Sequence, residues 1–414
     1  MSALPPTLPC DPYEWFCPPA LPAAEFAWLR RRLVLDHFKW DPQVGDVETI
    51  ARFPLVLPTA TVRGLFALAE ALAAETVAAE CELLNRPELL TRLGLPRRVR
   101  RVLTEESAPP TAAAARVIRF DFHPTSAGWR ISEANSDVPG GYAESSHLPR
   151  LMAEHWPGLT LSGDPVAALV EALGPARRAG LLAAPGYMED QQVIACLADA
   201  LRRRGWNVAF GHPGQVEWNA GHASLRSAAG LFPLDVVVRF FQGEWLARLR
   251  DASRRRSFFR GGVTPVCNPG VALVTESKRF PLVWDELTTP IATWRALLPE
   301  TLDPRDTDWR RDPRWLLKAA FGNNGDEVVE RGAAGRKTWR SAAWDARLRP
   351  NAWAAQRRFA TLPVETPAGP VFPCLGVYTI NGRAAGIYGR ISPKPFIDYA
   401  AVDVAVLVPS GNVT

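Results

Sequence analysis

Two short polar stretches separated by a loop constrain the fold of this chain more than any other feature. They run over residues 119–123 and 132–137, and side chains alternate between the two faces of a strand. The side chains that then share one face are Arg119, Asp121 and His123 in the first stretch and Glu133, Asn135 and Asp137 in the second. If the chain reverses near Ala127, the two stretches form a hairpin and Asp121 lies directly opposite Glu133.

The pairing of Asp121 with Glu133 predicts a bound cation. Two carboxylates opposite each other on a ladder repel, and a divalent cation that prefers oxygen ligands turns that repulsion into attraction. The Asn135 amide would supply a third ligand, so this face is interpreted as a magnesium site. Glu144, which follows a Pro-Gly-Gly turn, is expected to add a third acid beside it. The alternative is a solvent-exposed hairpin with ordinary surface charges.

Composition narrows the class of protein. The 414 residues are long enough for two or three domains, and 47% hydrophobic with 22% charged residues is typical of a globular chain. The net charge of +5 is dispersed, and without a nucleic-acid-binding signature we expect no nucleic-acid partner. Six scattered cysteines without a C-x-x-C pair favour a reducing compartment. No signal peptide or membrane-length apolar run is found, so a cytoplasmic protein without a membrane partner is expected.

The segment 179–241 predicts a βαβ unit. Apolar strands are predicted at 181–184, 207–210 and 235–241, with a helix from about Glu189 that ends at Gly205. Continuous apolar strands joined through a helix are typical of a parallel sheet. The chain has neither a G-x-G-x-x-G sequence after the first strand nor a Walker A sequence, so neither of those nucleotide fingerprints applies.

The last third is predicted to mix strands and helices, and it contains a possible phosphate-binding loop. Lys318 ends a predicted strand and is followed by Gly322 and Gly325. A strand lysine before such a loop can direct an ammonium group and backbone N–H groups at nucleotide phosphates, and the loop can close as a lid. A surface lysine beside a turn is the alternative. Strands at 374–380 and 384–390 are predicted to pair around Asn381-Gly382, a strong hairpin signal.

These motifs resemble the ATP-grasp superfamily, in particular the synthetase domain of glutathionylspermidine synthase and its relatives, over residues 115–400. The most specific part is R-x-D, eleven intervening residues, then E-x-N-x-D-x-P and a further Glu. Here these positions are Arg119, Asp121, Glu133, Asn135, Asp137, Pro139 and Glu144. The metal motif precedes the phosphate-binding lysines, which is the order of the circularly permuted subgroup.

The resemblance implies a role for each matching residue. The Asp, Glu and Asn of the motif bind magnesium, two lysines contact ATP phosphates, a hinge segment meets the adenine, and two arginines act on the transferred phosphoryl group. In this chain the implied residues are Asp121, Glu133 and Asn135 for the metal, Lys278 and Lys318 for the phosphates, Gln356 for the adenine, and Arg119 and Arg390 for the phosphoryl group.

The resemblance implies a mixed α+β and α/β chain with a circularly permuted ATP-grasp fold and a small βαβ (pre-ATP-grasp-like) domain. The first expected division is an N-terminal arm and helical region at 1–115, which is irregular to about residue 55 and includes an amphipathic helix at 61–84. The other expected divisions are a metal-binding hairpin part at 116–175, a small α/β domain at 176–270, and lobes with the nucleotide-binding lysines at 271–414.

The function implied is an ATP-dependent carboxylate–amine ligase that uses ATP and Mg²⁺ and forms an amide through an acyl phosphate. Its substrates would be a small-molecule or peptide carboxylate and an amine. Glycines stand after Pro139 where the family tends to have a hydroxyl pair, so the resemblance does not extend to glutathione as the acid. Two alternatives stay open: a nucleotide-binding regulatory protein without catalysis, and a small-molecule kinase that uses the same ATP site.

Overall fold

A computed structural model describes residues 12–45, 47–105, 115–175, 177–322, 328–331, 335–397 and 400–411. The α-helices in these ranges are α1 (Ala23–His37), α2 (Thr59–Leu84), α3 (Pro87–Leu90), α4 (Arg97–Thr104), α5 (Tyr142–Ala153), α6 (Pro165–Ala172), α7 (Met188–Arg203), α8 (Gly243–Leu246), α9 (Ala252–Arg260), α10 (Leu273–Glu276), α11 (Ala292–Leu297) and α12 (Arg336–Leu348). The 3₁₀ segments include Phe280–Glu286 and Pro350–Ala352.

The strands form several separate sheets. In chain order they are β1 (Gln43–Val44), β2 (Val47–Glu48), β3 (Leu55–Val56), β4 (Val117–Thr125), β5 (Gly128–Asn135), β6 (Leu159–Leu161), β7 (Arg178–Ala183), β8 (Asn207–Gly211), β9 (Val216–Asn219), β10 (His222–Ser227), β11 (Gly230–Pro233), β12 (Val236–Phe240), β13 (Val266–Cys267), β14 (Thr301–Leu302), β15 (Trp315–Ala319), β16 (Val328–Glu330), β17 (Trp353–Arg357), β18 (Phe372–Ile380), β19 (Arg383–Ser392), β20 (Val402–Val404) and β21 (Val406–Pro409).

A five-stranded antiparallel sheet in the order β20-β19-β18-β4-β5 forms the central layer. It brings the predicted 119–137 hairpin beside the predicted 374–390 hairpin, because β4 pairs with β18. Both hairpins are confirmed, and Asn381 at the second turn has a φ of 51°, which an Asn-Gly turn accommodates. The long helix α2 packs against β18 and β19 and confirms the amphipathic helix predicted at 61–84.

The predicted parallel layer is confirmed in the middle of the chain. Strands β7, β8 and β12 pair in parallel in a sheet of order β13-β12-β7-β8, and α7 connects β7 to β8. Apolar side chains on both faces of β7 and β12 are buried, which explains their unbroken hydrophobic sequence. This sheet contributes Arg239 near the end of β12, and α8 follows directly.

A third sheet, in the order β14-β17-β15-β16, carries Lys318. One face packs on α12 through Trp315, Leu317 and Ala355. Because side chains alternate along a strand, Lys318 and Gln356 share the opposite face, where Lys318 is paired with Ala354 and Gln356 with Leu316. The hydrophobic face therefore anchors the sheet and leaves these two polar side chains directed away from α12.

The prediction that the chain is irregular to about residue 55 is wrong. Helix α1 occupies Ala23–His37 and buries Phe26, Leu29 and Leu33 at helical spacing. The prolines around it and the exposed Trp28 obscured this pattern in the sequence. Within the described residues no helix combines the length and apolar character needed to cross a membrane. The predicted domain divisions stay a prediction.

Candidate active site at the central hairpin

The β4–β5 hairpin places its polar residues as the sequence predicts. Asp121 pairs with Glu133 and Arg119 with Asn135. Beyond Asp121 the register shifts, so that Phe122 pairs with Ile131 and Ser132 is an extra residue in β5. The prediction that Asp121 faces Glu133 is therefore confirmed, while the bulge beside it was not foreseen.

Asp121 is the centre of a buried hydrogen-bond network. Arg119 donates from Nε to Oδ1 over 2.7 Å and from Nη2 to Oδ2 over 3.1 Å. Arg390, two strands away on β19, donates to Oδ2 over 2.7 Å, and the Asn135 amide donates to the same oxygen over 3.2 Å. Although burial opposes its ionisation, the two guanidinium groups hold the pKa of Asp121 well below its usual value.

Gly376 makes this network possible, and no sequence pattern indicated this role. It lies on β18 directly opposite Asp121, between the strands of Arg119 and Arg390. A Cβ at this position would lie 2.7 Å from Cδ of Arg119 and 3.0 Å from Oδ1 of Asp121. Any other residue would therefore force the Arg119 side chain away from its carboxylate.

Two lysines from distant segments meet at the same end of the hairpin. Lys278 Nζ lies 3.2 Å from Glu133 Oε2 and 3.1 Å from Glu276 Oε1. Lys318 Nζ donates over 2.7 Å to the carbonyl oxygen of Ser132, the extra residue of the bulge. The structure thus brings both predicted phosphate lysines to the predicted metal ligands. We call Arg119, Asp121, Glu133, Asn135, Lys278, Lys318 and Arg390 the hairpin cluster.

The two lysines differ in their electrostatic surroundings. At Lys278, burial by itself would lower the pKa, but the negative charges of Glu133 and Glu276 outweigh that effect and raise the pKa. Lys318 has no carboxylate at ion-pair distance among the described residues, and burial lowers its pKa to about 8. Within the described residues Lys318 is therefore a cation whose direct partner is a neutral carbonyl, with Glu133 acting on it only from a greater distance, and a bound anion would stabilise its charge.

His123 lies on the same face and stays neutral. Burial lowers its pKa to about 4, and Nε2 is 3.0 Å from the Ser132 hydroxyl. It contributes a hydrogen bond at the bulge and no charge, in agreement with the sequence-based choice of oxygen ligands for the metal.

The remaining predicted nucleotide residues lie around this cluster. Gln356 is buried and donates from its amide to the Thr301 hydroxyl over 2.9 Å. Gly322, which follows β15, lines a small crevice together with Asn135. Gly325 lies outside the described residues. A larger cavity of about 390 Å³ opens between the hairpin turn at Ala127 and the segment that contains Arg357 and Phe359; Gln356 does not line it.

The expectation that Glu144 adds a third acid to the hairpin cluster is wrong. Its carboxylate lies 2.6 Å from Nζ of Lys39, which also contacts Asp403 at 2.9 Å and Asp41 at 3.0 Å. We call these four residues the Lys39 cluster. Glu144 sits on α5 and turns toward the N-terminal segment, which the sequence did not reveal because Lys39 is 105 positions away.

The oxygen ligands present fit magnesium with part of its coordination supplied by substrate. Asp121, Glu133 and Asn135 bring two carboxylates and one amide to one end of the hairpin. No group of three or more His, Cys, Asp or Glu suited to a metal occurs among the described residues. Magnesium usually binds through one or two carboxylates, with phosphate oxygens and waters as the other ligands, so this donor set suits it.

Sequence reasoning missed the residues that hold the end of the motif. Arg239 on β12 forms a buried ion pair with Asp137, and its Nε donates to the carbonyl of Asn268 over 3.1 Å. The Asn268 amide in turn donates to the carbonyls of Val117 and Asp137. A buried arginine inside an otherwise apolar strand was the available signal, since such a charge needs a partner.

Three comparisons, of the sequence and of the fold, relate this chain to known proteins. The chain matches the family described as "Glutathionylspermidine synthase preATP-grasp" over residues 52–408. A search of curated proteins finds no match. A glutathione synthetase-like effector (GSS30) from Globodera pallida, solved in the apo form, has a similar fold: the TM-score is 0.59 at 14% identity, and the match covers 92% of this chain and 96% of that one.

A second solved structure is more distant. It is a candidate γ-glutamylcysteine synthetase from Methylobacillus flagellatus KT, with a TM-score of 0.41 at 13% identity over 83% of this chain and 86% of that one, and no argument rests on it.

The family match extends over most of the sequence and includes every residue of the hairpin cluster. The chain has the mixed α/β fold of ATP-grasp-like ligases and belongs to the glutathionylspermidine synthase preATP-grasp family.

Proposed function

We propose that this protein is an ATP-dependent ligase that joins a carboxylate to an amine through an acyl phosphate. The observation that carries the proposal is the hairpin cluster itself. Four cationic side chains from two sheets and a loop converge on two opposed carboxylates, although the outermost of them, Arg119 and Arg390, are far apart in the sequence. Taking these charges out of water costs desolvation energy, and a bound polyanion would offset the excess of positive charge that remains.

The cationic side chains fit the polyphosphate of ATP. Lys278 and Lys318 lie at the hairpin end where Gly322 begins the loop after β15, and they would bind the phosphates as point charges. The cavity of about 390 Å³ between Ala127 and Phe359 has the size of a site for a nucleoside, and Arg357, which follows Gln356, lines it. The resemblance assigns Gln356 to the adenine.

Arg119 and Arg390 would act on the group that is transferred. Both are held by Asp121, and the Tyr388 ring lies 5.2 Å and 5.3 Å from their guanidinium carbons, so their positions are fixed before substrate binds. A substrate carboxylate oxygen attacks the γ-phosphorus, the bond to the β-phosphate oxygen breaks, and ADP leaves. The planar guanidinium groups would stabilise the negative charge on the phosphoryl oxygens during this step.

Magnesium would be held by Asp121, Glu133 and Asn135, and it would supply charge neutralisation at the phosphate oxygens. The neutral amine nitrogen then attacks the carbonyl carbon of the acyl phosphate, phosphate leaves with the electron pair of the C–O bond, and the leaving phosphate takes up the proton that the nitrogen loses. The cluster residues would bind and orient both ATP and the acyl phosphate, because the oxygens of the transferred phosphoryl group contact the same cationic side chains before and after the transfer.

The experiment is ADP release from the purified protein with Mg-ATP, challenged with pooled carboxylic acids and pooled amines. Glu133→Gln serves as the blank. ADP release that requires both pools would establish the ligase, and the pools can then be divided to identify the substrates. Release with acids alone would favour phosphoryl transfer without an amide product. ATP binding without release under any pool would contradict the proposal.

A further inference from the structure

Helices α4 and α9 bring together two arginine-rich segments that are far apart in the sequence. The two helices pack against each other. At the end of α4 the Leu103 carbonyl accepts a hydrogen bond from Arg260 over 2.8 Å, and the Glu105 carboxylate accepts one from Nε of Arg256 over 2.9 Å. The two short runs of arginine in the sequence are therefore neighbours in the fold.

The segment 247–250 contacts both helices and adds two further arginines. Arg98 of α4 donates to the Ala247 carbonyl over 3.4 Å, and Arg255 of α9 donates to the Arg250 carbonyl over 3.1 Å. We call the arginines of α4, of α9 and of this segment the arginine surface; they are Arg97, Arg98, Arg100, Arg101, Arg248, Arg250, Arg254, Arg255, Arg256 and Arg260.

Both helices bury an apolar face and leave their arginines toward solvent. Val99, Val102 and Leu103 of α4 are buried at helical spacing, and so are Phe258 and Phe259 of α9. All ten members of the arginine surface are exposed or half-buried. The packing that joins the two helices therefore concentrates their cations on the outside of the protein.

The arginine surface carries a large excess of positive charge. Its segments contain ten arginines and two carboxylates, Glu105 and Asp251, and Glu105 is already paired with Arg256. Within the described residues, Arg97 and Arg101 have no carboxylate at ion-pair distance. The net charge of the whole chain is only +5, so this surface is more positive than the chain as a whole. The expectation of no nucleic-acid partner took the positive charge to be dispersed, and here it is concentrated.

The lack of an apolar anchor narrows the kind of polyanion that fits. Among the described residues, no large apolar side chain of α4, α9 or the segment 247–250 is exposed. Protein–protein interfaces depend on aromatic anchors and are depleted of charge at their core. Single-stranded nucleic acids are bound through aromatic side chains on which their bases stack. A duplex is instead bound through its phosphates, to which arginine donates paired hydrogen bonds.

We propose that the arginine surface binds the phosphate backbone of a nucleic-acid duplex, independently of base sequence. The 8 residues of α4 and the 9 of α9 form helices about 12 to 14 Å long. A duplex carries about one negative charge per 1.7 Å of its axis, so each helix can lie beside several phosphates. Contacts to phosphates carry no sequence information. The inference goes beyond the proposed ligase and does not depend on it, because none of these arginines belongs to the hairpin cluster.

The test measures duplex binding by fluorescence anisotropy as the salt concentration is varied. The probes are a labelled DNA duplex of about 20 base pairs and an RNA duplex of the same sequence, in about 50 to 200 mM NaCl. Unlabelled DNA duplex and poly-L-glutamate, at equal concentrations of negative charge, are compared as competitors. Poly-L-glutamate represents an acidic protein partner.

Two double variants remove cations from the arginine surface, and a third is the matched control. The first is Arg97→Gln with Arg101→Gln on α4, and the second is Arg248→Gln with Arg250→Gln. The control, Arg336→Gln with Arg340→Gln, removes two exposed arginines at the same spacing from α12. All six positions are exposed, and thermal unfolding verifies that each protein is folded.

We expect the wild type to bind both duplexes with an affinity that falls steeply as salt rises. The α4 variant should bind about 10- to 100-fold more weakly at about 100 mM salt, and the slope of log affinity against log salt should become shallower by about 2, since each phosphate contact contributes about 0.9. The second variant should change in the same direction, and the control should stay close to the wild type. Binding of only one duplex type with this behaviour supports the inference and identifies the helix form that fits.

Four outcomes would overturn the inference. They are no duplex binding by the folded wild type, binding that salt does not weaken, equal weakening in the α12 control, and stronger competition by poly-L-glutamate than by unlabelled duplex. The third would attribute binding to the net charge of the protein, and the fourth would assign the arginine surface to an acidic protein partner. ADP release plays no part in these measurements, so failure of the proposed ligase activity would leave their result unchanged.

Discussion

The hairpin cluster and the Lys39 cluster bury similar chemistry with opposite balances of charge. In the first, four cationic groups face three carboxylates when Glu276 is counted with Asp121 and Glu133. In the second, the single ammonium of Lys39 faces the carboxylates of Asp41, Glu144 and Asp403. An excess of positive charge can accept a polyanionic substrate, whereas an excess of negative charge around one lysine fixes an N-terminal segment in place.

The surroundings of the two clusters agree with this division. The hairpin cluster adjoins a crevice, and Lys318 holds its position through a backbone carbonyl. The side chain of Lys39 is only 5% exposed, and burial with neighbouring acids raises the pKa of Glu144 despite the adjacent ammonium. Buried charges alone therefore do not mark a catalytic site; the sign of the excess and access to an opening distinguish the two.

The largest effect on stability is expected at the Lys39 cluster. Lys39→Met leaves the buried carboxylates of Glu144 and Asp403 without their cation, and removing one partner of a buried pair costs about 3–5 kcal/mol of unfolding free energy. Urea unfolding at pH 7 measures the difference. The control Lys337→Met, on the exposed face of α12, should change it by less than about 0.5 kcal/mol. Equal midpoints for the two variants would show that the Lys39 cluster does not hold the fold.

The largest effect on activity is expected at the hairpin cluster. Glu133→Gln should lower ADP release by at least about 10²-fold, the size typical of losing one charge-stabilising group in an active site. The urea midpoint should move far less than for Lys39→Met, because Lys278 keeps its contact with Glu276. Turnover close to that of the wild type would refute the metal assignment.

Tyr388 separates the two clusters and tests whether they are independent. Its hydroxyl donates to Asp403 over 2.7 Å, while its ring contacts the guanidinium groups of Arg119 and Arg390. Tyr388→Phe should lower the unfolding free energy by about 1.5 kcal/mol, since it loses one hydrogen bond to a charged group and keeps the ring. ADP release should change by less than about twofold. A loss of turnover as large as that of Glu133→Gln would show that the clusters are coupled.

The smallest expected effect is a pH dependence of ATP binding. Lys318 is protonated below its pKa of about 8 and can then bind a phosphate, so ATP affinity should begin to fall as the pH approaches 8 and continue to fall above it. At pH 9 the fall should approach about tenfold. Calorimetric titration of ATP across this range measures it. Lys318→Arg, which stays charged, should remove the dependence, and a decline that persists in this variant would assign it to another group.

Much of the site's core could be predicted because it is local in sequence. The period-two pattern and the short turn bring Asp121 opposite Glu133 within a single hairpin, and the Asn-Gly turn pairs β18 with β19 in the same way. The residues that complete the site could not be predicted from such patterns. Lys318 binds the carbonyl of Ser132 across 186 positions, and nothing in either local sequence requires the bulge that frees that carbonyl.

The sequence by itself determined which strands and turns form and which polar side chains share a face, because neighbouring residues fix these through backbone geometry. The tertiary structure alone decided where each buried charge finds its partner. Glu144 follows the metal motif in sequence, yet it pairs with Lys39, while Glu244 lies after a distant strand and reaches the crevice beside Asn135. Burial makes each charge require compensation, and only the packing of remote segments determines which group, protein or substrate, supplies it.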